Sequence, residues 1–259
     1  MCLVSTQPLS RTQPMLPYAR PLSVLSSCVL ILCVGMSHAQ AALTISHTRI
    51  IHDSAKRSSS VIVANPSERT FAAQAWVNTE ADDQTTAVPL IASPSLFRLD
   101  AGNEQTVQIN ALPNDLPQDR ESLFYFNVQE IPQATEKPQQ NVLTIALRTR
   151  IKLFYRPSQL KDSPNDRLKD LAWSVESIEG KPHLVVDNPS PFHYTFNRLV
   201  VSGDGVSETV SASDMARPLS RRTYPLHTLK VQDGLQVRFT TINDYSGVTA
   251  ERSSPVARH

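Results

Sequence analysis

Residues that could carry out acid–base or metal chemistry are scattered along this chain. Beyond residue 41 the histidines occupy six separate positions, namely His47, His52, His183, His193, His227 and His259. The sequence contains no H-E-x-x-H or H-x-x-E-H zinc pattern, no G-x-S-x-G nucleophile and no glycine-rich phosphate loop. The spacing of the acidic residues does not place two carboxylates in one cleft. The sequence therefore favours a protein that is not an enzyme, with a hydrolase of unrecognised site as an alternative.

The clearest pattern is instead an apolar and polar alternation over Asn141–Pro157. Large apolar residues occupy alternate positions, at Leu143, Ile145, Leu147, Ile151 and Leu153. Threonine, alanine, arginine and lysine lie between them. This period of two predicts a long β-strand with one apolar face, which Pro157 ends.

The length of this strand raises two interpretations. A strand of about 16 residues extends about 50 Å at about 3.3 Å per residue, whereas a compact domain of roughly 115 residues is only about 35 Å wide. Unless it bends, the strand therefore overhangs its own sheet. No charge or proline blunts the edge over residues 143–147, although exposed apolar edges normally recruit other chains. The segment is either a long core strand or a strand that a partner protein completes.

The first 41 residues are predicted to be a secretory signal peptide. Two arginines and no acidic residue give a basic start, and an apolar segment follows over Val24–Met36. Residues 39–41 (A-Q-A) supply the small side chains that a signal peptidase reads. We expect the mature chain to begin at Ala42, or alternatively at Gln40. A membrane anchor is the competing interpretation, but the apolar segment is too short to span a bilayer comfortably.

Removal of that segment would leave a nearly neutral chain without cysteine. All three cysteines lie within it, at Cys2, Cys28 and Cys33. The mature chain would therefore have no disulfide, no thiolate metal site and no thiol nucleophile. Loss of its two arginines leaves 23 basic residues against 24 acidic ones, a net charge of about −1. That balance argues against nucleic acid as a partner.

The remaining chain consists of short strand patterns separated by turn signals. Besides the long strand, the first half predicts strands over Leu43–Ile51, Ser60–Asn65, Phe71–Val77, Leu90–Ala92, Leu96–Leu99, Thr106–Ala111 and Ser122–Ile131. Trp76 on the third of these is expected to pack between two sheets. No convincing helical period of 3.6 residues occurs, so the sequence predicts an all-β sandwich.

A polar linker over Ser158–Asp166 is expected to separate two domains. Beyond it, strands are predicted over Leu171–Ile178, His183–Asp187, Thr195–Val201, Glu208–Ala212, Arg222–Leu226 and Leu235–Ile242. The predicted division is a signal peptide over residues 1–41, a first β domain over 42–158 and a second β domain over 166–259.

Four motifs resemble the PapD/FimC-like periplasmic pilus chaperones. They are Q-D-R-E-S-L-F-Y-F-N at residues 118–127, I-K-L-F-Y-R-P at 151–157, Q-A-W at 74–76 and I-N-D-Y at 242–245. The similarity covers nearly the whole mature chain and is strongest over Leu43–Leu160. It implies an all-β fold of two immunoglobulin-like β-sandwich domains in a boomerang arrangement, with a cleft between them. It also implies a periplasmic location and no catalytic residue, cofactor or metal.

The resemblance further implies a function. Such chaperones bind pilus subunits that lack their last strand, lend them a strand of the first domain, and deliver them to an outer-membrane usher. Leu143, Ile145 and Leu147 match the residues inserted into the subunit groove. Neither nucleic acid nor stable membrane insertion of the mature chain belongs to this function. The short loop over Gln133–Gln140 is the type found in chaperones of rod-like pili.

Two other groups of residues match the family in the same way. Arg49 and Lys152 match the cleft cations that hold the subunit's C-terminal carboxylate, and by type alone they could equally be solvated surface cations. Glu121, Arg156 and Asp244 match an ion-pair cluster between the domains, with unrelated surface charges as the alternative.

The parity of the long strand leaves one question open. Lys152 has the opposite parity to Leu143, Ile145 and Leu147, so a regular strand would place it on the other face. Either a bulge intervenes between Leu147 and Lys152, or the strand twists enough for the apolar residues and Lys152 to reach their separate sites. A secreted two-domain β adhesin or ligand-binding module is the second function that the sequence leaves open.

Overall fold

The structure, a computed structural model, describes residues 43–83, 85–131 and 145–258. The strands of the first part are β1 (Thr44–Ile45), β2 (Arg49–Asp53), β3 (Ser58–Ala64), β4 (Phe71–Asn78), β5 (Leu90–Ser93), β6 (Leu96–Leu99), β7 (Glu104–Ala111), β8 (Ser122–Ile131) and β9 (Arg148–Arg156). They form two sheets, in the orders β1-β3-β7-β5 and β2-β9-β8-β4-β6.

Alternate residues of both sheets point into a shared core. On β3, Val61 and Val63 are buried while Ile62 between them is exposed. On β8, Phe124 and Phe126 are buried. Side chains from the two sheets belong to one hydrophobic cluster, so this part of the chain is a β-sandwich.

The second part begins with a short helix, α1 (Pro164–Arg167), and a 3-10 turn over Leu168–Asp170. Its strands are β10 (Ala172–Ile178), β11 (Lys181–Asn188), β12 (Phe196–Gly203), β13 (Val206–Thr209), β14 (Ser220–Pro225), β15 (Gln236–Thr241), β16 (Arg252–Pro255) and β17 (Ala257–Arg258). The sheets have the orders β14-β11-β10-β17 and β13-β12-β15-β16. A second core, which includes Trp173, Leu184, Leu199 and Phe239, fills the space between them. The predicted all-β fold of two immunoglobulin-like sandwiches is confirmed.

The predicted linker contains the start of a helix that the sequence pattern does not predict. Ser163 caps α1, because its Oγ accepts the N–H of Asp166 at 3.2 Å and Pro164 occupies the first turn. A helix of four residues is too short to show a 3.6-residue period. Strands β16 and β17 also escape prediction, because their short sequences show no apolar alternation.

The prediction of one strand over Leu43–Ile51 is wrong. Strand β1 pairs with β3, whereas β2 runs parallel to β9 in the other sheet. Between them Ser46 bonds to Ile62, donating its N–H to the carbonyl at 3.1 Å and accepting the Ile62 N–H on Oγ at 3.3 Å. The chain therefore changes sheets within a segment that contains no glycine or proline to mark a break.

The expectation for Trp76 is also wrong. The core face of β4 carries Ala73, Ala75 and Val77, and Trp76 lies half-buried on the opposite face. The guanidinium carbon of Arg148 lies 4.9 Å from the centroid of its ring. Trp76 is therefore covered by a cation and not by the facing sheet.

The long strand is shorter than predicted. Strand β9 begins at Arg148, and residues 145–147 are not part of it, while residues 141–144 lie outside the described chain. The predicted end before Pro157 is confirmed, because β9 ends at Arg156. Along β9 the pairing with β8 continues without a register shift, from the pair Ser122–Tyr155 to the pair Gln129–Arg148.

Candidate functional site

Strand β9 positions the candidate site, because it lies between β2 and β8 in its sheet. Leu153 is fully buried in the core of the first sandwich. Its neighbours Lys152 and Phe154 have the opposite parity, and the Phe154 ring lies 5.3 Å from the ring of His193 in the second sandwich. This face of β9 therefore borders the second sandwich.

Arg49 lies directly beside Lys152, because the two residues are partners in the parallel pairing of β2 with β9. Arg49 is only 7% exposed. Its Nη1 donates to the carbonyl oxygen of Ile242 at 2.9 Å, and its guanidinium lies 5.7 Å from the centroid of the Phe154 ring. Its Nε is buried and has no hydrogen-bond partner within the described chain. This guanidinium therefore keeps a donor that the described residues leave unsatisfied.

Lys152 also contacts the second sandwich, since its Nζ donates to Oγ1 of Thr195 at 3.2 Å. Burial, and after it the neighbouring charge of Arg49, lower the pKa of Lys152 below its ordinary value. Burial likewise lowers the pKa of Arg49, although the charges of Asp244 and Glu121 oppose this. Among residues 43–83, 85–131 and 145–258, no carboxylate oxygen lies within 4.0 Å of either cation.

Two adjacent, largely buried cations favour the binding of an anion. A carboxylate placed between them would accept charge-assisted hydrogen bonds from both and would offset their mutual repulsion. The guanidinium offers a planar fork of donors, whereas the ammonium acts as a compact charge. The arrangement can therefore bind one carboxylate at the border between the sandwiches.

The three predicted ion-pair residues lie together at the same border. Arg156 Nε donates to Oε1 of Glu121 at 2.8 Å, and its Nη1 and Nη2 donate to the two oxygens of Asp244 at 2.7 and 2.9 Å. Burial alone would lower the pKa of Arg156. The hydrogen bond to Asp244 and the charges of both carboxylates outweigh that effect, so the pKa is raised. The guanidinium thus bridges one carboxylate from each sandwich.

The sequence analysis did not single out His193, which completes this cluster. The Oε2 atom of Glu121 accepts the backbone N–H of His193 at 2.9 Å and lies 3.1 Å from its ring Nδ1. In addition, the Glu121 N–H donates to the carbonyl of Pro191 at 3.0 Å. The Glu121 side chain is only 2% exposed. The only sequence signal near His193 is the N-P-S-P-F-H segment that precedes β12, which contains no motif for such a contact.

The apolar residues predicted for the donor strand lie just before β9. Ile145 is 63% exposed and Leu147 is 51% exposed, although both are large and aliphatic. Leu143 lies outside the described residues. Two side chains of the predicted set are therefore accessible on the surface of the protein rather than part of its core.

The structure removes one of the two explanations for the parity. A bulge between Leu147 and Lys152 is wrong for the described ladder, because the register is continuous from Arg148 to Tyr155. In that register Ile145 and Leu147 share the parity of the core face, opposite Lys152. Ile145 and Leu147 lie before the paired part of β9, which begins at Arg148, whereas Lys152 lies within it.

Two further features were sought among the described residues. The described residues contain no group of three or more His, Cys, Asp or Glu side chains that could hold a metal ion. Within the same residues, no helix is long and apolar enough to cross a membrane.

Comparison with known proteins agrees with this geometry. The family model "Pili and flagellar-assembly chaperone, PapD N-terminal domain" matches residues 42–161, and "Pili assembly chaperone PapD, C-terminal domain" matches residues 166–253. The Chaperone protein PapD of Escherichia coli is 36% identical over 217 residues, which are 82% of this chain and 86% of PapD.

A second relative is similar in both sequence and structure. The Probable fimbrial chaperone YadV of Escherichia coli K12 is 34% identical over 224 residues, which are 83% of this chain and 91% of YadV. The crystal structure of the YadV chaperone superimposes with a TM-score of 0.71 at 32% identity, covering 83% of this chain and all of the YadV chain. The chain therefore belongs to the PapD-like family of pilus-assembly chaperones, as its sequence motifs indicated.

Proposed function

We propose that this chain is a periplasmic chaperone that holds incomplete pilus subunits and delivers them to an outer-membrane usher. In this proposal Arg49 and Lys152 bind the C-terminal carboxylate of the subunit. The observation that carries it is the adjacent, largely buried cation pair, which has no ion-pair partner in the described chain. Desolvation and mutual repulsion make such a pair costly for the fold, so an external anion is a reason for the pair to exist.

The exposed apolar segment supports the second half of the proposal. Ile145 and Leu147 lie on the surface, seven and five residues before the anchor cation Lys152 in the chain, and the sequence continues the alternation at Leu143. Full burial of each side chain in a subunit groove would contribute about 1.5–3 kcal/mol. Main-chain pairing with the open edge of the subunit would add register and affinity. The same pairing would keep that edge from aggregating.

We propose the same domain division as above, with a signal peptide over residues 1–41 and domains over 42–158 and 166–259. The ion pairs of Arg156 with Glu121 and Asp244 would then set the angle between the two domains. Release of the subunit would be driven by strand exchange between subunits, so no nucleotide, metal or catalytic residue is required.

Periplasmic co-expression with the pilin subunits encoded by adjoining genes tests the proposal. A chaperone forms a stoichiometric complex on pull-down and keeps the subunit soluble, whereas an adhesin of the same fold does neither. Lys152→Ala and Arg49→Ala should each weaken the complex at least tenfold, because removing one member of a buried charged contact costs about 2–5 kcal/mol.

Arg57→Ala is the matched control, because Arg57 is an exposed cation in the turn between β2, which carries Arg49, and β3. This variant should bind the subunit as tightly as the unaltered chain. Equal binding by Lys152→Ala, in a protein that does capture the subunit, would rule out the proposed anchor.

A further inference from the structure

The ladder between β8 and β9 ends in an unusual way at Leu147. The Glu130 N–H donates to the carbonyl of Leu147 at 3.1 Å, as expected for an antiparallel pair that continues the register. The reciprocal bond from the Leu147 N–H goes to Oε1 of the Glu130 side chain at 2.8 Å. A side-chain carboxylate therefore takes the place of the backbone carbonyl in the last rung.

Glu130 is an uncommon residue for this place. It lies on the core face of β8, with the parity of Phe126 and Val128, and only 4% of its surface is exposed. Its second oxygen, Oε2, is buried without a hydrogen-bond partner in the described chain. Buried carboxylates are rare in proteins and costly to retain. The contact with Leu147 is the only side-chain hydrogen bond of Glu130 within the described residues.

Continuation of the ladder in the same register would be hindered as well. The next hydrogen-bonded pair would join Ile145 to residue 132, and the sequence has a proline there, which has no N–H to donate. Ile145 and Ala146 make no backbone hydrogen bond to another described residue. The exposed apolar segment therefore lies just before β9, and its last residue, Leu147, is the one that contacts Glu130.

We propose that Glu130 is a positioning residue that holds the Leu147 backbone and fixes the point where the donor segment leaves the sheet. This inference rests on the proposed function. Leu147 and Lys152 are separated by about 17 Å of extended chain. Because Leu147 is held at one end and the carboxylate anchor lies at the other, the register between the donor side chains and the subunit is determined.

Two conservative variants separate positioning from charge. Glu130→Gln keeps the length of the side chain and an oxygen acceptor, whereas Glu130→Asp keeps the charge but is one methylene shorter. We expect hydrogen exchange of the Leu147 amide in the free protein to accelerate at least roughly tenfold in Glu130→Asp and Glu130→Ala, since each loses a bond to a buried acceptor. Glu130→Gln should exchange at the rate of the unaltered protein.

Binding of the pilin subunits encoded by adjoining genes provides the second measurement. Their complexes with Glu130→Asp and Glu130→Ala should dissociate about tenfold faster or more, whereas complexes with Glu130→Gln and with the control Gln129→Ala should not change. Thermal unfolding of each variant shows whether it is folded. If Glu130→Ala does not fold, the comparison of Glu130→Asp with Glu130→Gln still tests the positioning role.

Two outcomes would overturn the inference. One is an unchanged Leu147 exchange rate in Glu130→Asp, and the other is unchanged dissociation of its subunit complex. If the unaltered chain captures no subunit at all, the proposed function fails. The exchange rates of the free protein would then still decide whether Glu130 ends the ladder.

Discussion

At the scale of single residues, the candidate site depends on a contact that no sequence pattern contains. Arg49 and Lys152 are far apart in the chain, and only the parallel pairing of β2 with β9 makes them neighbours. Their types alone are those of ordinary surface cations. The resemblance of the surrounding motifs to a known family was the only sequence signal for the pair. His193 had no such signal, because one of its two contacts with Glu121 is made by its backbone N–H, which any residue except proline has.

The lowered pKa of Lys152 leads to a prediction about alkaline pH. Burial and the charge of Arg49 favour the neutral amine, so the free protein loses the ammonium charge below the ordinary pKa of 10.5. Affinity for the subunit should therefore fall as the pH rises through the lowered pKa of Lys152, before the ordinary value of 10.5 is reached. Lys152→Arg should abolish this fall, because a guanidinium stays protonated throughout the range.

Measurement of the dissociation constant at several pH values tests this prediction. Circular dichroism at each pH shows whether the protein remains folded. An equal fall in affinity for Lys152→Arg would show that another group is responsible.

At the scale of elements, the apolar segment before β9 combines accessibility with a fixed position. Exposed aliphatic side chains in succession usually mark a binding surface. Here their parity is that of the core face, and yet Ile145 and Leu147 are more than half exposed. The sheet ends before they can be covered, and Glu130 holds the chain at that point.

Charged substitutions in this segment should affect binding and not stability. Leu147→Asp and Ile145→Asp replace exposed side chains, so the free energy of unfolding should change by no more than about 0.5 kcal/mol. Capture of the subunit should fall at least tenfold, because a carboxylate would have to enter an apolar groove. Val206→Asp, on an exposed valine of β13, is the control and should bind normally. Urea unfolding and quantitative pull-down measure the two effects, and normal capture by both variants would contradict the role of this segment.

The elements that the sequence predicted well are those in which local and tertiary signals agree. The bounds of β6 and β8 were predicted correctly, because turn or loop residues flank an apolar segment on both sides there. The prediction of one strand over Leu43–Ile51 failed because the chain changes sheets at Ser46 without a glycine or proline to mark the break. The prediction for Trp76 failed because Arg148, two strands away in the same sheet, offers its ring a cation. Both errors arise from tertiary partners that a local pattern does not contain.

At the scale of the molecule, the described chain has two separate hydrophobic cores joined by polar contacts. The core clusters of the two sandwiches share no residue. The polar contacts between them include the ion pair of Arg156 with Asp244 and the hydrogen bonds of Glu121, Lys152, Arg49 and Thr48 to the second sandwich. The ring of Phe154 also packs beside the ring of His193. The hydrogen bonds and ion pairs are directional, so they can fix the orientation of one side chain towards its partner.

Loss of Glu121 should therefore uncouple the unfolding of the two sandwiches. Glu121→Ala leaves Arg156 without its most deeply buried partner, and breaking such a contact typically costs about 3–5 kcal/mol. Each sandwich contains one tryptophan, so Trp76→Phe and Trp173→Phe variants report on one sandwich each. We expect coincident urea midpoints for the two probes with Glu121 present, and separate midpoints in Glu121→Ala. Asp244→Ala should separate them less, because the Asp244 side chain is already 30% exposed. Coincident midpoints in Glu121→Ala would show that the polar contacts are not what couples the sandwiches.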